Sequence, residues 1–238
     1  MNYVRKQISG YSKELNPEDK LSLNYWLGYY TNISEDIGTK FSEQLEKEKQ
    51  ELKNKGTYLE DGVDYETVEF KYDNQVIDLE VEYCLTHLIE LSLKNYIYVL
   101  NYMKENNFKG IVDIGVALGW QSDIFIENNL SYTGVSPDIS DRYRNYNNGK
   151  VEYIEGFYPI VSRVTGFNKG KTLGVAILSL GWGVYVGEDR ELIYNQFKRL
   201  SKDFDKSLVY IPRNIIPIIK DLFISITHKE GSFYELKS

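Results

Sequence analysis

The chain has 238 residues, enough for one α/β domain with an appendage, and its 42% hydrophobic and 26% charged residues are ordinary globular composition. A formal net charge of −7 argues against a nucleic-acid partner, which needs a basic face, and the single cysteine, Cys84, excludes an intrachain disulfide and fits a reducing, cytoplasmic setting. No run approaches the ~18 apolar residues of a membrane span, and the first twenty residues lack the apolar core of a secretory signal, so neither membrane nor export is expected.

In chain order, Asn16-Pro17-Glu18-Asp19 reads as a helix start, and the helix is expected to run to about Tyr30. Tyr25, Trp26, Tyr29 and Tyr30 make it aromatic on nearly every side, which predicts burial, as a lid over a substrate crevice, by docking the helix on the sheet, or as a homodimer contact. Ser34-Glu35-Asp36 predicts the cap of a second, highly charged helix ending near Gly56, with a narrow stripe of Ile37, Phe41, Leu45 and Leu52. Val68, Phe70 and Tyr72, then Val76, Ile77, Leu79 and Val81 across Asp73-Asn74, predict a β-hairpin. A helix follows over about 83–106, with Leu85, Leu88, Ile89, Ser92, Tyr96, Val99, Leu100 and Met103 on one face. The expected domain boundary lies near 82, giving a helical cap plus hairpin over 1–82 and an α/β domain over 83–238.

From Gly110 onward, strand and helix alternate, which predicts a parallel sheet of βαβ units. Strands are expected at 110–114, 132–136, 151–154, 173–180 and 207–211, with a final antiparallel pair at 222–227 and 233–236 joined at Lys229-Glu230-Gly231. Helices are expected at about 120–129, 159–166 and 188–204, the last turning Leu192, Ile193, Phe197 and Leu200 inward. A weak helical or loop segment spans about 140–147, and Asn147-Asn148-Gly149 reads as a turn.

The stretch Ile111–Gly119, IVDIGVALG, organises this half. A buried strand ends in an acid, Asp113, and leads through Gly115, Ala117 and Gly119 into a helix near Trp120-Gln121-Ser122. Such a junction brings backbone N–H groups to a ligand, and glycine admits the ligand without a Cβ in its way. Asp113-x-Gly115-x-Ala117-x-Gly119 resembles the first motif of the class I S-adenosylmethionine-dependent methyltransferases, acid-x-Gly-x-Gly-x-Gly, with one glycine replaced. A dinucleotide fingerprint fails at two of its three glycines, since Ala117 and Trp120 stand there.

The resemblance covers roughly 83–238 and implies a seven-stranded, mostly parallel Rossmann-like sheet. It implies S-adenosylmethionine as cofactor, held by Asp113, Gly115, Ala117, Gly119, Ser136, Asp138, Phe157 and Ser179. Beyond Ala117, it departs from the family in three places. Ser136 stands where an acid receives the ribose hydroxyls, with Asp138 two residues on. Phe157 lies near the adenine and can stack on it, and Gly174 replaces an acid at the start of strand four.

The activity so implied is methyl transfer to a small molecule, with transfer of the aminocarboxypropyl arm as a second enzymatic outcome. A non-catalytic methyltransferase-like interaction protein is the third. Candidate catalytic groups are His87, Tyr29 and Trp182, the last in the glycine-flanked loop after strand four. His87 and Cys84 share a helix face, but two ligands do not make a zinc site, and no metal is expected. Thr165–Thr172, TGFNKGKT, imitates a phosphate-binding loop but precedes a strand instead of opening a helix. His228 falls in the final hairpin, away from the crevice.

Overall fold

The computed structural model describes residues 20–55, 70–72, 75–77, 85–116, 119–137, 151–158, 168–178 and 189–238. Outside them lie the Asn16-Pro17 start, the Asp73-Asn74 and Asn147-Asn148-Gly149 turns, Cys84, the 140–147 segment and the 159–166 helix. Ala117, Asp138, Ser179 and Trp182 also lie outside. The chain divides into two compact units, Met1–Leu91 and Ser92–Ser238.

In the first unit, α1 runs unbroken from Leu23 to Asn54. Ser22 caps it in an extended conformation, its Oγ accepting the Asn24 N–H at 3.2 Å. The sequence suggested two helices with a new cap at Ser34. The structure has one, because no proline separates them and the helix absorbs the small polar side chains. Thr39 Oγ1 donates back to the Glu35 carbonyl at 2.9 Å and Ser42 Oγ to that of Gly38 at 2.8 Å. Trp26, Tyr30 and Ile37 are buried, at helical spacing. Trp26 packs edge-on against Tyr25 and Tyr29 and donates its indole N–H to the Lys20 carbonyl. The expected hairpin is present as β1, Phe70–Tyr72, and β2, Gln75–Ile77, antiparallel with Phe70 opposite Ile77.

The helix expected over 83–106 is not uniform. Leu85–His87 is α-helical, Leu88–Ser92 is a π turn, and α2 is Leu93–Glu105. All eight side chains assigned to its apolar face are buried. Asn107 stops α2 in a left-handed conformation, φ 57°. The Phe108 N–H then reaches the Met103 carbonyl and the Asn107 N–H that of Lys104, which satisfies two orphan carbonyls of the last turn.

Seven strands form the sheet of the second unit: β3, Gly110–Ile114; β4, Ser131–Ser136; β5, Val151–Glu155; β6, Thr172–Ala176; β7, Lys206–Tyr210; β8, Ser225–Glu230; and β9, Phe233–Lys237. Their order is β5-β4-β3-β6-β7-β9-β8, with every pairing parallel except those of β9. The chain moves outward from β3 through β4 to β5, then returns to the other flank of β3 at β6. That reversal is a topological switch point, and it opens a crevice at the strands' carboxyl ends.

Side chains on β3 alternate between two layers. Val112 and Ile114 join a core with Ile193, Phe197 and Leu200 of α4, Arg190–Asp203. The opposite layer holds Asp113, with Tyr96 of α2 and Phe125 of α3, Ser122–Ile126, packed edge-on. Three expectations need correction here. Leu192 is 44% exposed, one position off the buried stripe of α4. The helix after the glycine turn is only five residues long, ended by Asn129 at φ 60° with the same pair of reaching N–H groups as at Asn107. Strand four ends at Ala176, short of 180.

Candidate functional site

The site is built where β3 ends. Gly115 leaves the strand at φ 75° and donates its N–H to the Val135 carbonyl at 2.7 Å. Gly119 closes the turn at φ 72°, its N–H on the Val116 carbonyl at 3.0 Å. Both conformations exclude ordinary side chains at low cost, so the sequence fixes this turn through two glycines. Ser122 then donates both its N–H and its Oγ to the Gly119 carbonyl, at 3.1 and 2.8 Å, and starts α3.

Asp113 lies beneath this turn and is completely buried. Its carboxylate accepts the Tyr132 hydroxyl at 2.5 Å, the Tyr96 hydroxyl at 2.9 Å and the Gln121 Nε2 at 2.9 Å. Three donors favour the ionised acid, yet burial outweighs them and lifts the pKa from 3.8 to about 6. The Gln121 Nε2 also donates to the Val116 carbonyl at 3.1 Å, so one amide ties the acid to the turn. The Gln121 Oε1 is buried with no partner.

Around the crevice edge, register places Ser136 of β4 beside Glu155 of β5. Ser136 is buried, and its carbonyl accepts the Gly156 N–H at 2.8 Å. Phe157 follows, a residue 62% exposed and one of the few large apolar ones left in water among the described residues. Ser136, Phe157 and the glycine turn thus share the carboxyl edge of three adjacent strands. Gly174 does not belong with them. It sits mid-strand in β6, where an added Cβ would lie 2.6 Å from the Phe204 ring and 2.9 Å from Ser207 Oγ. Glycine stands there to admit Phe204, so the position offers a ligand nothing.

Of the candidate catalytic groups, His87 lies in the helical turn before the π segment. Tyr29 is half-buried on α1, edge-on to Trp26 and Tyr30. Both belong to the first unit. His228 lies on β8, its Nε2 2.8 Å from the Gly231 carbonyl. Among the described residues no cluster of His, Cys, Asp and Glu could hold a metal, and no helix is long and apolar enough to cross a membrane.

Sequence reasoning missed the partners of Asp113. In the sequence, Gln121, Tyr96 and Tyr132 show only a helix start, a core face and a strand. A signal existed: an acid inside an apolar strand must be satisfied by polar side chains from neighbouring elements.

Counted from β3 as strand one, the sheet order is 3-2-1-4-5-7-6 with the seventh strand reversed, the seven-stranded, mostly parallel sheet that the resemblance implies. No family model and no curated protein matches the sequence. Among the solved structures similar to it are methyltransferases. Magnesium protoporphyrin IX methyltransferase (ChlM) from Synechocystis PCC 6803 with bound SAM aligns at a TM-score of 0.46 and 12% identity, over 68% of this chain and 87% of that one. A putative caffeoyl-CoA O-methyltransferase from Staphylococcus aureus aligns at 0.37 and 12%, over 61% and 83%. WbdD, a bifunctional kinase-methyltransferase, aligns at 0.45 and 12% over 61% of this chain, which spans 39% of WbdD's length.

Proposed function

We propose that this chain binds S-adenosylmethionine at the Gly115–Gly119 turn and transfers its methyl group to a small molecule. The observation that carries this is the position of the turn. A two-glycine junction stands at the switch point of the sheet, with a buried acid holding it from below. The residues fit the cofactor. The positive-φ glycines leave backbone without side chains facing an amino-acid end, the Ser136 hydroxyl suits a ribose, and the exposed Phe157 ring suits a purine. Asp113 serves by holding the turn, since its acceptors are taken inside the fold. When bound, the cofactor supplies an electrophilic methyl group on a sulfonium. The chain contributes orientation and exclusion of water, which supply most of the rate in a displacement of this kind.

A second reading, a binding protein without catalysis, is favoured by one observation. Ser136 offers the ribose a neutral hydroxyl, and a neutral hydrogen bond is roughly half as strong as one to a carboxylate. Calorimetric titration with S-adenosylmethionine and S-adenosylhomocysteine tests both. Binding of either, weakened in a folded Gly115→Ala variant, supports the site; affinity unchanged by that variant places it elsewhere. Turnover then separates outcomes: S-adenosylhomocysteine release marks methyl transfer, methylthioadenosine release marks transfer of the aminocarboxypropyl arm, and neither marks a binding protein.

A further inference from the structure

The Gln121 amide is pinned in one orientation. Its Nε2 faces three oxygens: Asp113 Oδ2 at 2.9 Å, the Val116 carbonyl at 3.1 Å and the Tyr96 hydroxyl at 3.4 Å. Its Oε1 is buried without a donor, which a buried acceptor tolerates only when the rest of the site holds it there. Ionised Asp113 enforces it, because turning Oε1 toward a carboxylate would set acceptor against acceptor. A proton on Asp113 turns the charge-assisted hydrogen bond from Nε2 into a neutral one, roughly half as strong, and the amide is held less firmly. The same Nε2 donates to the Val116 carbonyl, which also accepts the Gly119 N–H, so a loss of hold at Asp113 reaches the turn.

We propose that Gln121 is a positioning residue that reports the protonation of Asp113 to the glycine turn, so that the turn holds its ligand-binding shape only while Asp113 is ionised. The groups around Asp113 agree with a single proton at stake. Tyr96 of α2 and Tyr132 of β4 are phenols already donating to it, and its register partners on β4 and β6, Gly134 and Val175, carry no charge. The other buried carboxylate nearby in sequence is Asp123 of α3. The ligand side of the proposal rests on the function proposed above; the turn side does not.

Two measurements keep them apart. In ligand-free protein, the Gly119 amide resonance is followed by ¹⁵N NMR from pH 5 to 8. It should titrate in the wild type and stay flat in Asp113→Asn and in Gln121→Met, a swap that keeps volume and removes the amide. A flat wild-type resonance overturns the proposal, as does an unchanged titration in Gln121→Met; should that variant not fold, Gln121→Leu is measured in its place, and an unchanged titration there overturns the proposal equally. S-adenosylhomocysteine affinity is then measured over the same range. With the acid titrating at about 6, it should weaken about tenfold between pH 7 and pH 5, following the fraction of competent turn. Affinity independent of pH overturns the link to binding. A titrating Gly119 with no affinity for the nucleoside at any pH leaves the relay standing and removes the cofactor.

Discussion

Replacing Asp113 by asparagine removes a titration that burial has displaced, and the effect on stability has a definite sign. Folding lifts the carboxyl pKa from 3.8 to about 6 by desolvation, against the opposing donors Tyr132, Gln121 and Tyr96. At about 1.36 kcal/mol per pH unit over that interval, the ionised folded state holds roughly 3 kcal/mol less stability than the protonated one. For an acid displaced upward, this stability is fully present below pH 4 and is lost as pH rises through about 6. Asparagine keeps the shape and has no proton to lose. The wild-type stability minus that of Asp113→Asn should therefore fall by most of those 3 kcal/mol between pH 4 and pH 8, whatever its value at either end. Every other titrating group is common to both proteins and cancels. Urea unfolding followed by circular dichroism at half-unit pH steps measures the difference. Parallel stability curves would refute the claim that Asp113 is charged and desolvated beneath the turn.

Other outcomes follow from the packing. Gly174→Ala should cost about 1–3 kcal/mol, because its Cβ meets the Phe204 ring carbons at 2.6 and 2.8 Å inside a close-packed layer. Gly110→Ala should cost less, since the only close atom is Ser131 Oγ and a hydroxyl can turn aside; equal losses in urea midpoint would count against this ordering. Tyr158→Phe removes a hydroxyl that donates to Asp203 Oδ2 at 3.1 Å, and Asp203 keeps Arg199 Nε at 2.7 Å, so the loss should stay near 1 kcal/mol by thermal unfolding. Phe157→Ala should leave stability within about 0.5 kcal/mol, as expected of an exposed site. The same variant should weaken S-adenosylhomocysteine by roughly 1 kcal/mol if the ring stacks on adenine, and unchanged affinity in calorimetry would remove Phe157 from the site.

Much of the second unit was legible because its signals are local. Alternating apolar strands and helices from Gly110 onward give the parallel sheet, and the two glycines of IVDIGVALG give the turn at the end of β3. Even the helix stops are written in the chain. Asn106-Asn107-Phe108 and Asn128-Asn129-Leu130 repeat one pattern, an asparagine able to go left-handed followed by an apolar residue, and both close a helix the same way. The continuity of α1 was hidden for the converse reason. Ser34-Glu35-Asp36 looks like a cap in isolation, and a cap signal is decided by whether the preceding residues have somewhere else to go.

What no window of sequence could contain is the environment of Asp113. Its three donors come from positions 96, 121 and 132, on α2, at the start of α3 and on β4, and only the fold brings them to one carboxylate. The sequence marks an acid and a glycine turn. Whether that acid faces a ligand or lies inside, and whether it is charged there, depends on desolvation and on the geometry of donors distant in the chain. Gly174 makes the same point from the other side. As a letter it is a missing acid, and only the packed Phe204 ring shows why a side chain has no room.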